Sequence, residues 1–232
     1  MIDQPDSEPS IWVVVPAFNE GSRLVGALAR IARRKRFTVV VVDDGSVDDT
    51  SLVARQLPLW LLRHPFNCGQ GASLRTGIEF ALQNGADHVV TFDADGQHDS
   101  DEIDRLLEPV LAGRADVALG TRFAGTKQSM PLGRRLLLKA AVIFTRLTTG
   151  LTLTDSHNGF RAFSRSAAER IRIQQPRMAH ASEILDQVSR HRLRYEEVPV
   201  TIRYTAETLE KGQSAWDALR IGSQLILHRF VR

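Results

Sequence analysis

Short apolar runs alternate with amphipathic stretches through the first half of the chain, the pattern of strands and helices in a layered α/β domain. Ile11–Val15 reads as a buried strand stopped by Pro16, and Ser22–Arg34 as a helix with Leu24, Ala27, Leu28 and Ile31 on one face. Phe37–Val42 reads as a second strand, Val47–Gln56 as a helix, Leu59–Arg63 as a strand and Ser73–Asn84 as a helix closed by Gly85. His88–Asp93 then reads as a strand, Ser100–Ala112 as a helix and Asp116–Gly120 as a strand. These make four strand–helix–strand units, which right-handed crossovers join into a parallel sheet.

After Thr121 the rhythm changes. Ala124–Ser129 reads as a polar loop and Leu132–Leu151 as a long helix, apolar along one stripe and basic on its flanks. Asn158–Phe163 is a short strand candidate, Ser182–Arg192 a helix, and Tyr195–Tyr204 a strand with alternation at Val198, Val200 and Ile202. Thr205–Gln213 reads as a loop and Ser214–Val231 as a terminal helix. The expected organisation is a flexible segment 1–10, one α/β domain over 11–213 and a C-terminal helix over 214–232, with no internal repeat.

With 232 residues and 43% hydrophobic content, the chain can bury one core. Its single cysteine, Cys68, excludes an internal disulfide and suits a reducing compartment, and the polar start MIDQPDSEPS has no apolar core of a signal peptide, so a cytoplasmic location is expected. No run of 18 apolar residues marks a membrane span. Net charge is only +3, but it is unevenly spread: from Arg122 to Arg170 nine Lys and Arg face two acids, Asp155 and Glu169. The middle of the chain therefore prefers anions.

The sharpest chemistry is Asp93-Ala94-Asp95, where the strand HVVTFD runs out. In an extended backbone residues i and i+2 point the same way, so both carboxylates face one point beyond the strand's C-terminal end, where open α/β sheets bind ligands. Two converging carboxylates repel unless a cation lies between them, and hard oxygens suit Mg²⁺ or Mn²⁺. Asp43-Asp44, then Gly45-Ser46, end a second strand, and Asn19-Glu20 follow a third. Asp, Gly and Ser also form turns and caps, but three acidic strand ends on one rim can grip a ribose, a base and a metal. Neither a full G-x-G-x-x-G nor a G-x-x-x-x-G-K-[ST] fingerprint is present.

The segments VVVPAFNE, VVDDGSVDDT, GQGASLRTG, TFDADGQH, LGTRF, NGFRAF and EVPVTIRY resemble, in order and spacing, those of family 2 glycosyltransferases, most closely the dolichol/polyprenyl-phosphate mannosyltransferase-like branch. The resemblance spans Ile11 to Ser214. It implies the GT-A fold, an α/β architecture with a Rossmann-like, mostly parallel central sheet, flanking helices and an acceptor-side C-terminal extension. It also implies that Asp93, Asp95 and Gln97 bind the metal, and that Pro16, Phe18, Glu20, Asp43, Asp44, Asp93 and Ala94 hold the nucleotide sugar. Arg122 and Arg134 match positions facing the acceptor phosphate, and Arg203 and Lys211 match a loop that folds over the donor. The chain departs from the branch at Leu138 and Gln70, where Ser and Lys are common.

The implied activity is metal-dependent, inverting transfer of a mannose- or glucose-type sugar from a GDP- or UDP-sugar to a dolichyl or undecaprenyl phosphate, as in cell-envelope biosynthesis. A phosphate acceptor, with a second pKa of about 6, is ionised and needs no strong base; a hydroxyl acceptor of a lipid-linked or cell-envelope glycan does. Besides Asp95 and Arg122 as catalytic groups, Asp155 is the first candidate for such a base and Glu183 the second. From another class, a non-catalytic nucleotide-sugar-binding subunit of a membrane complex is the competing reading. His157 and His180 read as polar loop residues and His98 as an orienting residue of the metal loop. The basic-flanked stripe of Leu132–Leu151 suits peripheral attachment to the cytoplasmic face of an anionic membrane. Ser214–Val231 could contact an integral membrane partner, and nothing calls for nucleic acid.

Overall fold

A computed structural model describes residues 8–122, 142–143, 145–156 and 158–203. Its sheet is built from β1 (Ile11–Ala17), β2 (Phe37–Asp43), β3 (Trp60–Arg63), β4 (His88–Thr91), β5 (Val117–Thr121), β6 (Arg161–Ser164) and β7 (Tyr195–Pro199). The order is β3-β2-β1-β4-β6-β5-β7, and every pairing is parallel except those of β6, which runs against β4 and β5. The helices lying wholly among the described residues are α1 (Gly21–Arg33), α2 (Thr50–Ala54), α3 (Gln70–Gln83), α4 (Ile103–Leu111, entered through a 3₁₀ turn at Ser100–Glu102), α5 (Arg165–Arg170) and α6 (His180–Arg190).

Both faces of the central strands are covered, which explains their unbroken apolar runs. In β1, Ile11, Val13 and Val15 face Leu24, Leu28 and Ile31 of α1 and Leu106, Leu107 and Val110 of α4 in one core. Trp12 and Val14 face the other, with Leu74 and Ile78 of α3 and Ile184, Leu185 and Val188 of α6. Each such fully buried aliphatic side chain contributes about 1.5–3 kcal/mol.

Pro16 does not stop β1, which continues to Ala17. The Val14 carbonyl accepts from Phe92 N on the β4 side, whereas the Ala17 carbonyl accepts from Asp44 N on the β2 side. Neighbouring peptides of a strand alternate in direction, so Pro16 shares the side of Val14, and its missing N–H falls where β4 has already ended. Pairing with β2 is unaffected.

α2 is shorter than the expected Val47–Gln56, because Asp48 accepts from Gly21 N and Thr50 N and holds the preceding residues in a turn. α5 was not expected from periodicity; Ser164 caps it by accepting from Ala167 N. β7 ends at Pro199, after which Ile202 forms an antiparallel bridge to His98. Of the expected helix Leu132–Leu151, residues 142–143 and 145–151 are described; 142–143 and 145–149 are helical, and the helix ends before Leu151 because Gly150 takes a positive φ of 74°. Residues 1–7, Ala124–Ser129, Thr205–Gln213 and the helix Ser214–Val231 lie outside the described residues.

Candidate functional site

From β1 the chain winds out through β2 and β3 on one side and returns to β4 on the other, so a crevice opens between the C-terminal ends of β1 and β4. Its volume is about 480 Å³. One wall is Pro16, Ala17, Phe18 and Glu20, joined by Asp44. The start of α3 adds Asn67, Gly69, Gln70 and Ser73, and the turn after β4 adds Asp93, Ala94 and Asp95. Gly159, Arg177, Met178, His180 and Ala181 complete it.

Asp93 and Asp95 both reach the crevice, though not by strand alternation. β4 ends at Thr91, and the acidic pair sits in a turn that Asp95 stabilises by accepting from Gln97 N at 2.9 Å. Gly159 lies so close that a Cβ there would stand 2.5 Å from Asp93 Oδ2. Gln70 Nε2 donates to Asp93 Oδ1 at 2.8 Å, so the uncharged residue at this position reaches the acidic pair. His98 Nε2 is 3.6 Å from Asp93 Oδ2, and its ring packs against both Phe92 and Phe160, which also touch each other edge-on.

The two carboxyls differ. Burial pushes Asp93 up, but hydrogen bonding and charge from His98, then the charges of His180 and Arg161, hold it below the ordinary 3.8. Burial and the Asp93 charge push Asp95 above that value, with the Gln97 N–H pulling the other way. This is the pattern of two carboxyls sharing one site, and a cation between them relieves it.

Alternation separates the other acidic pair. Asp43 is 0% exposed and does not line the crevice: Oδ1 accepts from Ser46 N at 2.8 Å and Oδ2 from the Ser51 hydroxyl, fixing the turn after β2. Asp44 lines the crevice, and accepts from His64 Nδ1 at 2.7 Å, Cys68 N at 3.0 Å and Gly69 N at 2.6 Å. Glu20 is ion-paired with Arg23 at 2.8 Å.

Arg122 and Asp155 meet each other: Arg122 Nε donates to Asp155 Oδ2 at 2.6 Å, and Asp155 is 3% exposed. Neither is among the residues lining the crevice. Arg203 pairs with Asp99 at 2.6 Å, and its backbone N–H donates to the Gln97 carbonyl, tying the chain after β7 to the turn that carries the acidic pair. Arg134, Lys211, Leu138 and His157 lie outside the described residues. Glu183 faces the loop before α6, where Oε2 accepts from Gln174 N at 3.0 Å and Gln175 N at 2.9 Å.

That loop carries what sequence reasoning missed. Arg177 and Met178 line the crevice, and His180 is the buried first residue of α6, not a polar loop residue. The loop packs on α3, since Ala72 N donates to the Pro176 carbonyl and a Cβ on Gly71 would stand 2.0 Å from the Gln175 carbonyl. The available signal was the pair of glycines in GQG, which permits close approach by another backbone.

The model of glycosyl transferase family 2 matches residues 12–172. A UDP-N-acetylglucosamine–dolichyl-phosphate N-acetylglucosaminyltransferase of Methanococcus voltae is 28% identical over 94% of this chain and 95% of the relative. A polyprenol monophosphomannose synthase of Mycolicibacterium smegmatis is 34% identical over 68% of this chain and 63% of the relative. Among solved structures, glucosyl-3-phosphoglycerate synthase from Mycobacterium tuberculosis, in complex with Mn²⁺, uridine diphosphate and glucosyl-3-phosphoglycerate, superposes with a TM-score of 0.72 at 18% identity, covering 94% of this chain and 77% of that one. At that identity the likeness is one of fold.

Proposed function

We propose that this chain, which belongs to glycosyl transferase family 2 and has the GT-A fold, moves a mannose- or glucose-type sugar from a GDP- or UDP-sugar to a polyprenyl phosphate. The observation that carries the reading is the Asp93–Asp95 pair, unequal in proton affinity, at the switch-point crevice. The acceptor class is supported by the relative that acts on dolichyl phosphate and by the polyprenol monophosphomannose synthase.

In this reading Asp93, Asp95 and Gln97 hold Mg²⁺ or Mn²⁺, for which two carboxylates and an amide oxygen are a fitting set of hard donors. When bound, such an ion offsets the charge that grows on the leaving nucleoside diphosphate. Phe18 supplies an exposed ring and Glu20 and Asp44 supply acceptors for base and ribose; Asp43 supports them through the turn it fixes. Arg177 offers a guanidinium to phosphate from the opposite wall. Arg122 and Arg134 receive the acceptor phosphate, Arg203 and Lys211 belong to the segment that closes over the donor, and Ala94 and Pro16 line the crevice that holds it. An ionised phosphate oxygen attacks the anomeric carbon opposite the leaving group, so the configuration inverts and Asp155 serves as counter-ion to Arg122.

The test is product analysis with GDP- and UDP-sugars against dolichyl and undecaprenyl phosphate. A glycosyl-phosphoryl-polyprenol is the expected product. Transfer only to a glycan hydroxyl, or donor binding with neither transfer nor hydrolysis, would overturn the acceptor assignment.

A further inference from the structure

Apart from the acidic pair, one group of metal-ligating side chains converges among the described residues. Candidate ligand atoms of Asp44, His64 and Cys68 all lie within 4.8 Å of one another. We propose that these three residues form a second cation site, selective for Zn²⁺ over Mg²⁺ or Mn²⁺, and that filling it opposes nucleotide binding in the crevice.

A carboxylate oxygen, an imidazole nitrogen and a sulfur are a zinc donor set, softer than the all-oxygen pair at Asp93 and Asp95, and leave a fourth tetrahedral position for water. The surroundings already hold each ligand. Thr76 Oγ1 lies 3.0 Å from His64 Nε2 and fixes the ring from behind. Its hydroxyl can donate or accept, so it serves the ring whether Nδ1 carries a proton toward Asp44 or faces a metal. The Cys68 and Gly69 backbone N–H groups hold the carboxylate. Cys68 immediately precedes Gly69, the N-cap of the 14-residue α3, so the start of that helix fixes its backbone.

Charge and protons balance. One carboxylate, one thiolate and Zn²⁺ sum to zero, so the occupied site carries no net charge into its half-buried setting. On binding, the Cys68 thiol gives one proton to solvent, the His64 proton resides on Nε2 against Thr76, and nothing is oxidised or reduced. Asp44 is also a wall of the crevice, so a metal on its carboxylate removes an acceptor from that wall; this second half rests on the function proposed above.

Co²⁺ serves as the spectroscopic stand-in for Zn²⁺ on the full chain. A thiolate-to-cobalt charge-transfer band is expected to saturate at one equivalent, to vanish on adding Zn²⁺, to be lost in Cys68→Ser and His64→Gln, and to persist in Asp95→Asn. With Mg²⁺ present, Zn²⁺ is expected to weaken UDP or GDP binding at least tenfold in the parent and not in Cys68→Ser. No band, or a band that survives Cys68→Ser, overturns the site; equal weakening by Zn²⁺ in the parent and in Cys68→Ser, or none in the parent, overturns its link to the crevice. If the band behaves as expected but neither nucleotide binds without zinc, the donor reading of the crevice fails and the zinc site stands.

Discussion

Asp93 and Asp95 are two positions apart, yet their environments drive their proton affinities in opposite directions. Asp95→Asn removes the charge while keeping the shape and the acceptor oxygen that meets Gln97 N, so the turn persists. Transfer activity is expected to fall by at least ~10²-fold, in the range seen when a charge-stabilising group is removed from a site, with an unchanged circular dichroism spectrum; activity near that of the parent would remove Asp95 from the metal assignment. Histidines give a pH dependence. Burial, reinforced by the Arg161 charge, holds His180 below the ordinary 6.5, and burial does the same for His88 against the pull of Asp87. The unfolded chain therefore takes up protons first: stability is full above about pH 6.5 and is lost as pH falls from there toward the folded-state values. The urea midpoint is expected to drop between about pH 7.5 and about pH 5.5, and His180→Gln to flatten the drop; an identical pH dependence in the two proteins would contradict it.

At the scale of elements, the loop before α6 is the one whose role changes the reading of the site. Glu183 binds two consecutive backbone N–H groups of that loop, and at such a half-exposed position each hydrogen bond contributes about 0.5–1.5 kcal/mol. Glu183→Gln keeps an acceptor oxygen and is expected to retain most activity, whereas Glu183→Ala is expected to lower the melting temperature and weaken donor binding together by releasing Arg177 and Met178. Complete inactivation of Glu183→Gln at full stability would instead mark a proton-transfer role. The loop also shows why the site was only partly legible in the sequence. β1, β2, β4 and α1 announce themselves because burial on both sheet faces, or on one helix face, imposes an apolar pattern. The DAD turn is visible because its chemistry is local. Arg177 and His180 are placed by contacts with Gly69–Ala72, about a hundred residues earlier, which no local pattern records. Asp43 and Asp44 look equivalent in a string of letters, and only the alternation at the end of β2 turns one inward and the other to the crevice. The direction of β6 was hidden too, because a strand of four residues has a period but no polarity.

For the whole molecule, no helix among the described residues is long and apolar enough to cross a membrane. Ile143 and Leu147 are nevertheless 60% and 81% exposed on the short described part of the apolar, basic-flanked stretch. Apolar side chains presented beside Arg146 suit an interface of anionic lipid. The chain is expected to sediment with anionic vesicles at low salt and to be released at high salt, and Leu147→Glu to weaken the attachment; indifference of the parent to such vesicles would contradict a lipid-facing role. The reversed strand β6 has a further consequence, for the order in which the molecule assembles. The β1–β2–β3 side closes through short crossovers and can form as each segment emerges, but β6 pairs with β4 across about 70 residues of chain. Loops of that length close late, and contacts of high sequence separation slow folding. Gly159, which faces Asp93, enters with β6, so the acidic pair has no completed pocket until β6 has paired with β4 across that long loop. The binding-competent crevice is therefore a late product of folding, and a ligand that fills it acts on the long-range pairings of β4 with β1 and β6 rather than on the fast-forming half.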